Sequence, residues 1–109
     1  MAQAYKVLGQ VAPTAATLTT LYTVPASTSS VVSTITVCNT SAVATTYRIS
    51  IQVAAAADNV KQYIAYDAPI AANETKSYTI GVTLATTDVL KCYATLATVS
   101  FSAFGAEIT

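Results

Sequence analysis

The side chains best suited to chemistry are five acids, Asp58, Asp67, Glu74, Asp88 and Glu107, and two cysteines, Cys38 and Cys92. They would have to work without histidine, which is absent. Losing histidine removes the usual general base, the usual zinc ligand and any Ser-His triad. What remains is a carboxylate pair, an activated lysine, or a cysteine beside a base. Asp58, Glu74 and Asp88 fall in predicted turns, where an acid ordinarily caps the turn or keeps an end soluble. Asp67, in YDAP beside Pro69, reads as a strand-end residue. No D-x-D-x-D-G run marks a calcium loop, and no Walker loop, G-x-G-x-x-G or G-x-S-x-G occurs. The sequence assigns no catalytic, cofactor-binding or metal residue, and an enzyme is not expected. Cys38 runs in phase with Thr34 and Thr36, Cys92 with Leu90 and Ala94. With no metal-type spacing, both read as small buried hydrophobes with free thiols, a disulfide between them being the alternative.

Binding chemistry would rest on tyrosine, because there are seven tyrosines and no tryptophan. Most share a phase with Val, Ile or Leu and read as core. Tyr63 and Tyr66 are expected on opposite faces of their strand, which brings at least one to a surface or interface. A carbohydrate site would draw on Tyr63 or Tyr66 with the turn groups Asp58, Asn59 and Asn73.

Charged residues are only 9% of the chain against 53% hydrophobic, and the formal net charge is zero. No basic field exists to hold nucleic acid or anionic lipid. No apolar run approaches the ~18 residues of a membrane span. The opening MAQAYKVLGQ has no charged and then apolar signal pattern, so assembly in a cytoplasm is expected. A length of 109 residues suits one domain with a real core. Ala and Thr, 21 and 19 residues, dominate the composition. Outer faces of Thr, Ser and Ala are flat and nearly uncharged, and only Lys6, Lys61, Lys76 and Lys91 are available to guard strand edges.

The elements that must position these residues are strands. In Val31–Val53, Tyr47, Ile49, Ile51 and Val53 alternate with Thr46, Arg48, Ser50 and Gln52, while Val31, Ile35 and Val37 oppose Val32, Thr34 and Thr36. With the polar break Asn39-Thr40-Ser41 between, this predicts an antiparallel hairpin. Further strands are predicted at Tyr5–Val11, with Gly9 marking a bulge or close approach, at Thr17–Val24, and at Gln62–Ala68, which Pro69 ends or marks as an edge. Ala54–Ala57 is too short for a stable helix and reads as a loop with at most one turn. Thr75–Leu84 is one strong strand with Tyr78, Ile80, Val82 and Leu84 inward. Val89–Leu96 and Val99–Ile108 form a closing pair. The last strand carries Val99, Phe101 and Ala103 on one face, Phe104 and Ile108 on the other. Its outer side therefore needs a cover, either Tyr5–Val11 or a neighbouring subunit. About eight strands at ten-residue spacing predict a single all-β domain, an antiparallel β-sandwich of Ig-like or jelly-roll-like type.

Three stretches, LYTVPASTSSVVSTITVCNTS, YIAYDAPIAANETKSYTIGVTLATTDVLKCYA and VSFSAFGAEIT, resemble small structural proteins of tailed-bacteriophage virions. The likeness lies in the Tyr-Thr-Val-Pro opening, the Pro-Ile-Ala-Ala-Asn-Glu-Thr turn, the Leu-Ala-x-x-Asp-Val-Leu turn and the Val-Ser-Phe-x-x-Phe-Gly-x-Glu terminus. It covers most of the chain beyond Ala15 and implies a capsid decoration, cement, tail or fibre-associated subunit located in the virion. Capsid or tail components would then be partners, and the resemblance carries no catalytic or ligand residues. Taken with the neutral surface, it leads to the expectation of a homo-oligomer, with a trimer favoured. Phe104, Ile108, Tyr63 and Tyr66 are the expected interface residues. The competing expectation is a host-surface adhesion or carbohydrate-binding module.

Overall fold

The computed structural model describes residues 2–109. Its strands are β1 (Gln3–Val11), β2 (Thr19–Thr23), β3 (Ser29–Asn39), β4 (Thr45–Gln52), β5 (Tyr63–Ile70), β6 (Thr75–Tyr78), β7 (Val82–Leu84), β8 (Val89–Ala94) and β9 (Val99–Ile108). Two antiparallel sheets pack face to face. Sheet A runs β1-β9-β3-β6, with β7 also on β3, and sheet B runs β2-β8-β4-β5. The described residues thus form an all-β sandwich of nine strands. Counting β6 and β7 as one interrupted strand, the order is the double Greek-key wrapping of a jelly roll.

That wrapping overturns two expected pairings. β3 and β4 do not form a hairpin: they lie in opposite sheets, as do β8 and β9. Asn39 explains the first crossing. Buried at the end of β3, it donates from Nδ2 to the carbonyls of Val43 and Ala71, and Oδ1 accepts from Ser41 N–H and Thr98 Oγ1. Those bonds satisfy the polar groups of an arch that carries the chain over to the other sheet, so Asn39-Thr40-Ser41 turns between layers and not within one.

The core is the predicted one around Tyr47, Ile49, Ile35, Val37 and Phe101, all fully buried. Tyr47 packs edge-on against Phe101 and Tyr78, and its hydroxyl bonds that of Tyr78. Bulges shift several other expected faces. An extra residue at Ser33 in β3 brings Val32 into the same inward phase as Ile35 and Val37. An extra residue at Leu21 buries Leu21 and Tyr22 consecutively. Val53 is exposed and not inward, because the chain leaves β4 there for a 3₁₀ turn, Val53–Ala55, with Ala54 and Ala55 at positive φ. Ile80 is exposed too: the expected strand breaks between β6 and β7, where Gly81 sits at φ 63°. Gly9 follows a bulge at Leu8, and a methyl group on it would collide with the Leu21 carbonyl, which is the close approach read from the sequence.

Both cysteines are free, Cys92 buried between the sheets and Cys38 half-buried on the outward phase of β3. Burial raises the Cys92 thiol to about 12.

Candidate functional site

Each of the five acids is engaged in holding the fold. Asp88, buried at the start of β8, accepts from Ala54 N–H and Ala85 N–H, both at 2.9 Å, and so ties the 3₁₀ turn to the β7–β8 turn. Glu74 accepts from Ala71 N–H at 2.7 Å and closes the β5–β6 turn. Asp58 accepts from the Tyr63 hydroxyl. Glu107 accepts from the Tyr22 hydroxyl at 2.6 Å and pairs with Lys6 at 2.9 Å. These two partners hold the Glu107 carboxyl below its ordinary range, the tyrosine hydrogen bond contributing most. Burial, helped by the Glu107 bond, pushes Tyr22 up to about 12. Asp67 is not a strand end. It sits inside β5 at φ 48°, in a bulge, and receives Arg48 at 2.7 and 3.3 Å. Pro69 lies within β5, which is an edge strand of sheet B. Among the described residues no group of three or more His, Cys, Asp or Glu is arranged to hold a metal ion.

The four expected interface residues fall in two patches on opposite outer faces. On sheet B, Tyr63 and Tyr66 do not point to opposite faces. Extra residues in β5 rotate them together, with ring centroids 5.0 Å apart and planes at 89°. Arg48, opposite Tyr93 in the β4–β8 ladder, places its guanidinium 4.1 Å from the Tyr66 ring centre and 4.4 Å from that of Tyr93. The Asp67 hydrogen bond raises the Arg48 pKa further, and burial with the Asp58 bond raises that of Tyr63. Asp58 belongs to this patch. Asn59 spends its side chain capping the 3₁₀ turn Val60–Gln62. Asn73 lies beyond the other end of the eight-residue β5, past a strand that runs ~23 Å from Tyr63 and ~13 Å from Tyr66 to Ile70, so the structure does not bring it to the tyrosines.

On sheet A, Phe104 and Ile108 lie on the outward phase of β9, opposite Phe101. β1 pairs edge to edge with β9 and does not cover this face. Instead it extends it: Tyr5 and Val7 flank Ala106 and Phe104 on one side, and Val31 flanks Ala106 on the other. Tyr5 is 79% exposed and Val7 49%. An open groove of about 230 Å³ runs between Gln3, Tyr5, Val31, Ser33, Gly105 and Ala106. The patch contains no charged side chain among these residues. Its extra members were foreshadowed by the period-two spacing of Tyr5 and Val7, whereas Arg48 meeting Tyr93 depends on a strand pairing invisible in the sequence.

No family model matches the chain, and no curated protein or solved structure is significantly similar to it.

Proposed function

We propose that this protein is a non-enzymatic structural subunit that works by assembling with copies of itself through the outer face of sheet A. Following the sequence resemblance, we place it in the virion of a tailed bacteriophage as a capsid decoration, cement or fibre-type component, with capsid or tail proteins as further partners. The observation that carries the reading is the patch of Tyr5, Val7, Val31, Phe104 and Ile108, large apolar side chains on one sheet face, the first two exposed and the others half-buried, with none of the described strands over them. A second copy is the favoured occupant because zero net charge imposes no long-range repulsion between copies. The commitment of all five acids to turns, bulges and hydroxyls supports a non-catalytic role. Each subunit that binds the folded form stabilises its neighbours by mass action.

Light scattering across a concentration series should report masses above the 11.2 kDa of one chain. Mass spectrometry of purified particles should find the protein in many copies. A strict monomer absent from particles would contradict the reading.

The exposed Tyr66, 55% accessible beside Arg48, Tyr63 and Tyr93, favours the adhesion or carbohydrate-binding module as second reading. Jelly rolls serve as capsid subunits and as lectins alike, so the surfaces and not the fold distinguish the two. Glycan binding abolished by Tyr66→Ala would support this alternative.

A further inference from the structure

β1 ends sheet A with one edge open, and the alternation of its hydrogen bonds identifies the groups that face outward. Ala2 and Thr109 exchange both backbone bonds, at 2.9 and 2.8 Å. Bonded and non-bonded pairs alternate along an antiparallel ladder, so Ala4–Glu107 and Lys6–Gly105 are bonded pairs as well. The N–H and C=O groups of Gln3, Tyr5 and Val7 therefore point away from β9. Every residue from Gln3 to Val7 is exposed. Neither proline nor bulge interrupts this stretch, the bulge coming at Leu8, and its single charge, Lys6, is already paired with Glu107. Such an edge is a template for another strand.

We propose that two copies of the chain pair through this edge, β1 against β1, antiparallel about a two-fold axis at Tyr5. Whereas a register with Tyr5 against Val7 sets Gln3 against Gly9, past the bulge at Leu8, all three outward residues of the described edge find partners when Tyr5 faces its counterpart and Gln3 faces Val7 in both directions. The same register sets Lys6 opposite Ala4 on the other face, so no like charges meet. It makes the two Tyr5 rings a cross-strand aromatic pair. It also joins two β6-β3-β9-β1 runs into one continuous sheet whose outer face carries both Phe104 patches. The inference rests on the self-assembly reading above and gives it a two-fold unit in place of the trimer expected from the sequence, the joined outer faces remaining the surface on which further copies assemble.

Tyr5→Pro tests the pairing, since the Tyr5 N–H is unused within the subunit and an edge position with its N–H outward accepts proline. The variant should keep the wild-type circular dichroism spectrum. Its self-association in sedimentation equilibrium should weaken about ten-fold or more, because each copy loses a ladder donor and leaves an acceptor unmet. Amide hydrogen exchange on the wild-type protein is an independent readout, decisive even if the proline disturbs folding. In the dimer the Tyr5 and Val7 amides should be protected and should lose protection on dilution, while Ala4 and Lys6, bonded to β9, keep theirs throughout. An oligomer whose Tyr5 and Val7 amides exchange freely would overturn the edge pairing and leave the self-assembly reading standing. A wild-type protein monomeric at every concentration would overturn both.

Discussion

The two outer faces of the sandwich expose aromatic rings in comparable number and differ in what surrounds them. On sheet B, Arg48 lies against Tyr66 and Tyr93 and is hydrogen-bonded by Asp67, Tyr63 bonds Asp58, and Thr46 and Thr95 join hydroxyls at 2.7 Å. Most polar groups of that face are satisfied within it, the exception being the buried Ser50 Oγ on the same outward phase as Arg48. On sheet A, Tyr5 and Val7 are exposed and Val31, Phe104 and Ile108 half-buried, side by side in the β1-β9-β3 plane with no described strand over them. Exposed area alone does not mark an interface. A polar cluster already bonded internally gains little from a partner, whereas uncovered apolar surface gains ~25 cal/mol for each Å² removed from water.

The largest effect expected is loss of the platform common to both faces. Ile49 is fully buried between the sheets, while Arg48, one residue along, lies on the outer face of sheet B. Ile49→Asp buries a charge with no partner and should cost more than ~4 kcal/mol, enough to abolish folded protein. Arg48→Ser should cost only ~1 kcal/mol, since its ion pair and ring contacts lie at the surface and are partly solvent-exposed. Soluble yield and thermal melts check both. Equal tolerance of the two changes would mean that the inner and outer faces of β4 have been confused.

Next comes a change confined to sheet A. A methyl group on Gly105 would collide with the Val31 carbonyl, brought close beside the Ser33 bulge. Gly105→Ala should lower stability by ~1–3 kcal/mol, as overpacking does, and should distort the groove beside Tyr5 while leaving the Arg48–Tyr66 cluster unchanged in spectra of the tyrosine side chains.

The effects of pH are spread over both sheets and do not distinguish the faces. Tyr22 and Cys92 are raised to about 12, and Tyr47 is raised as well, mainly by burial. A group whose folded pKa lies above its unfolded value stabilises fully below the unfolded value and loses that contribution as pH rises through the folded one. Stability should therefore fall from about pH 9, where unfolded thiols and phenols begin to ionise, to pH 12. Glu107 has the opposite sign. Its lowered pKa contributes above the unfolded glutamate value of ~4.3 and is lost as pH falls through the folded value. Glu107→Gln should flatten the acid limb of a melting-temperature profile and, by removing one cause of the raised Tyr22 pKa, soften the alkaline limb, to which buried Cys92 still contributes.

Much of this fold was legible in the residues. Strict alternation located the strands, put Tyr47, Ile49, Ile35 and Val37 in the core, and set Phe104 and Ile108 on the side away from Phe101. Strand partners were not legible, because the chain crosses between sheets after most strands and so defeats the expectation that consecutive strands pair. The side facing of Val32, Tyr63 and Tyr66 was hidden as well. Single extra residues at bulges reverse the phase of everything beyond them, and no side-chain pattern announces them. Asp67 shows the cost: read as a strand end, it is instead the bulge residue that brings Arg48 and Tyr66 into one cluster.

The contrast between the faces is tested most directly by paired substitutions, Phe104→Ser on sheet A and Tyr66→Ser on sheet B, followed by sedimentation equilibrium against the wild-type protein. Both side chains are partly exposed, so each variant should remain folded. If the outer face of sheet A is the assembly surface, Phe104→Ser should weaken self-association about ten-fold or more, as loss of a buried interface aromatic does, and Tyr66→Ser should leave it unchanged. Assembly lost with Tyr66→Ser and retained with Phe104→Ser would contradict the account.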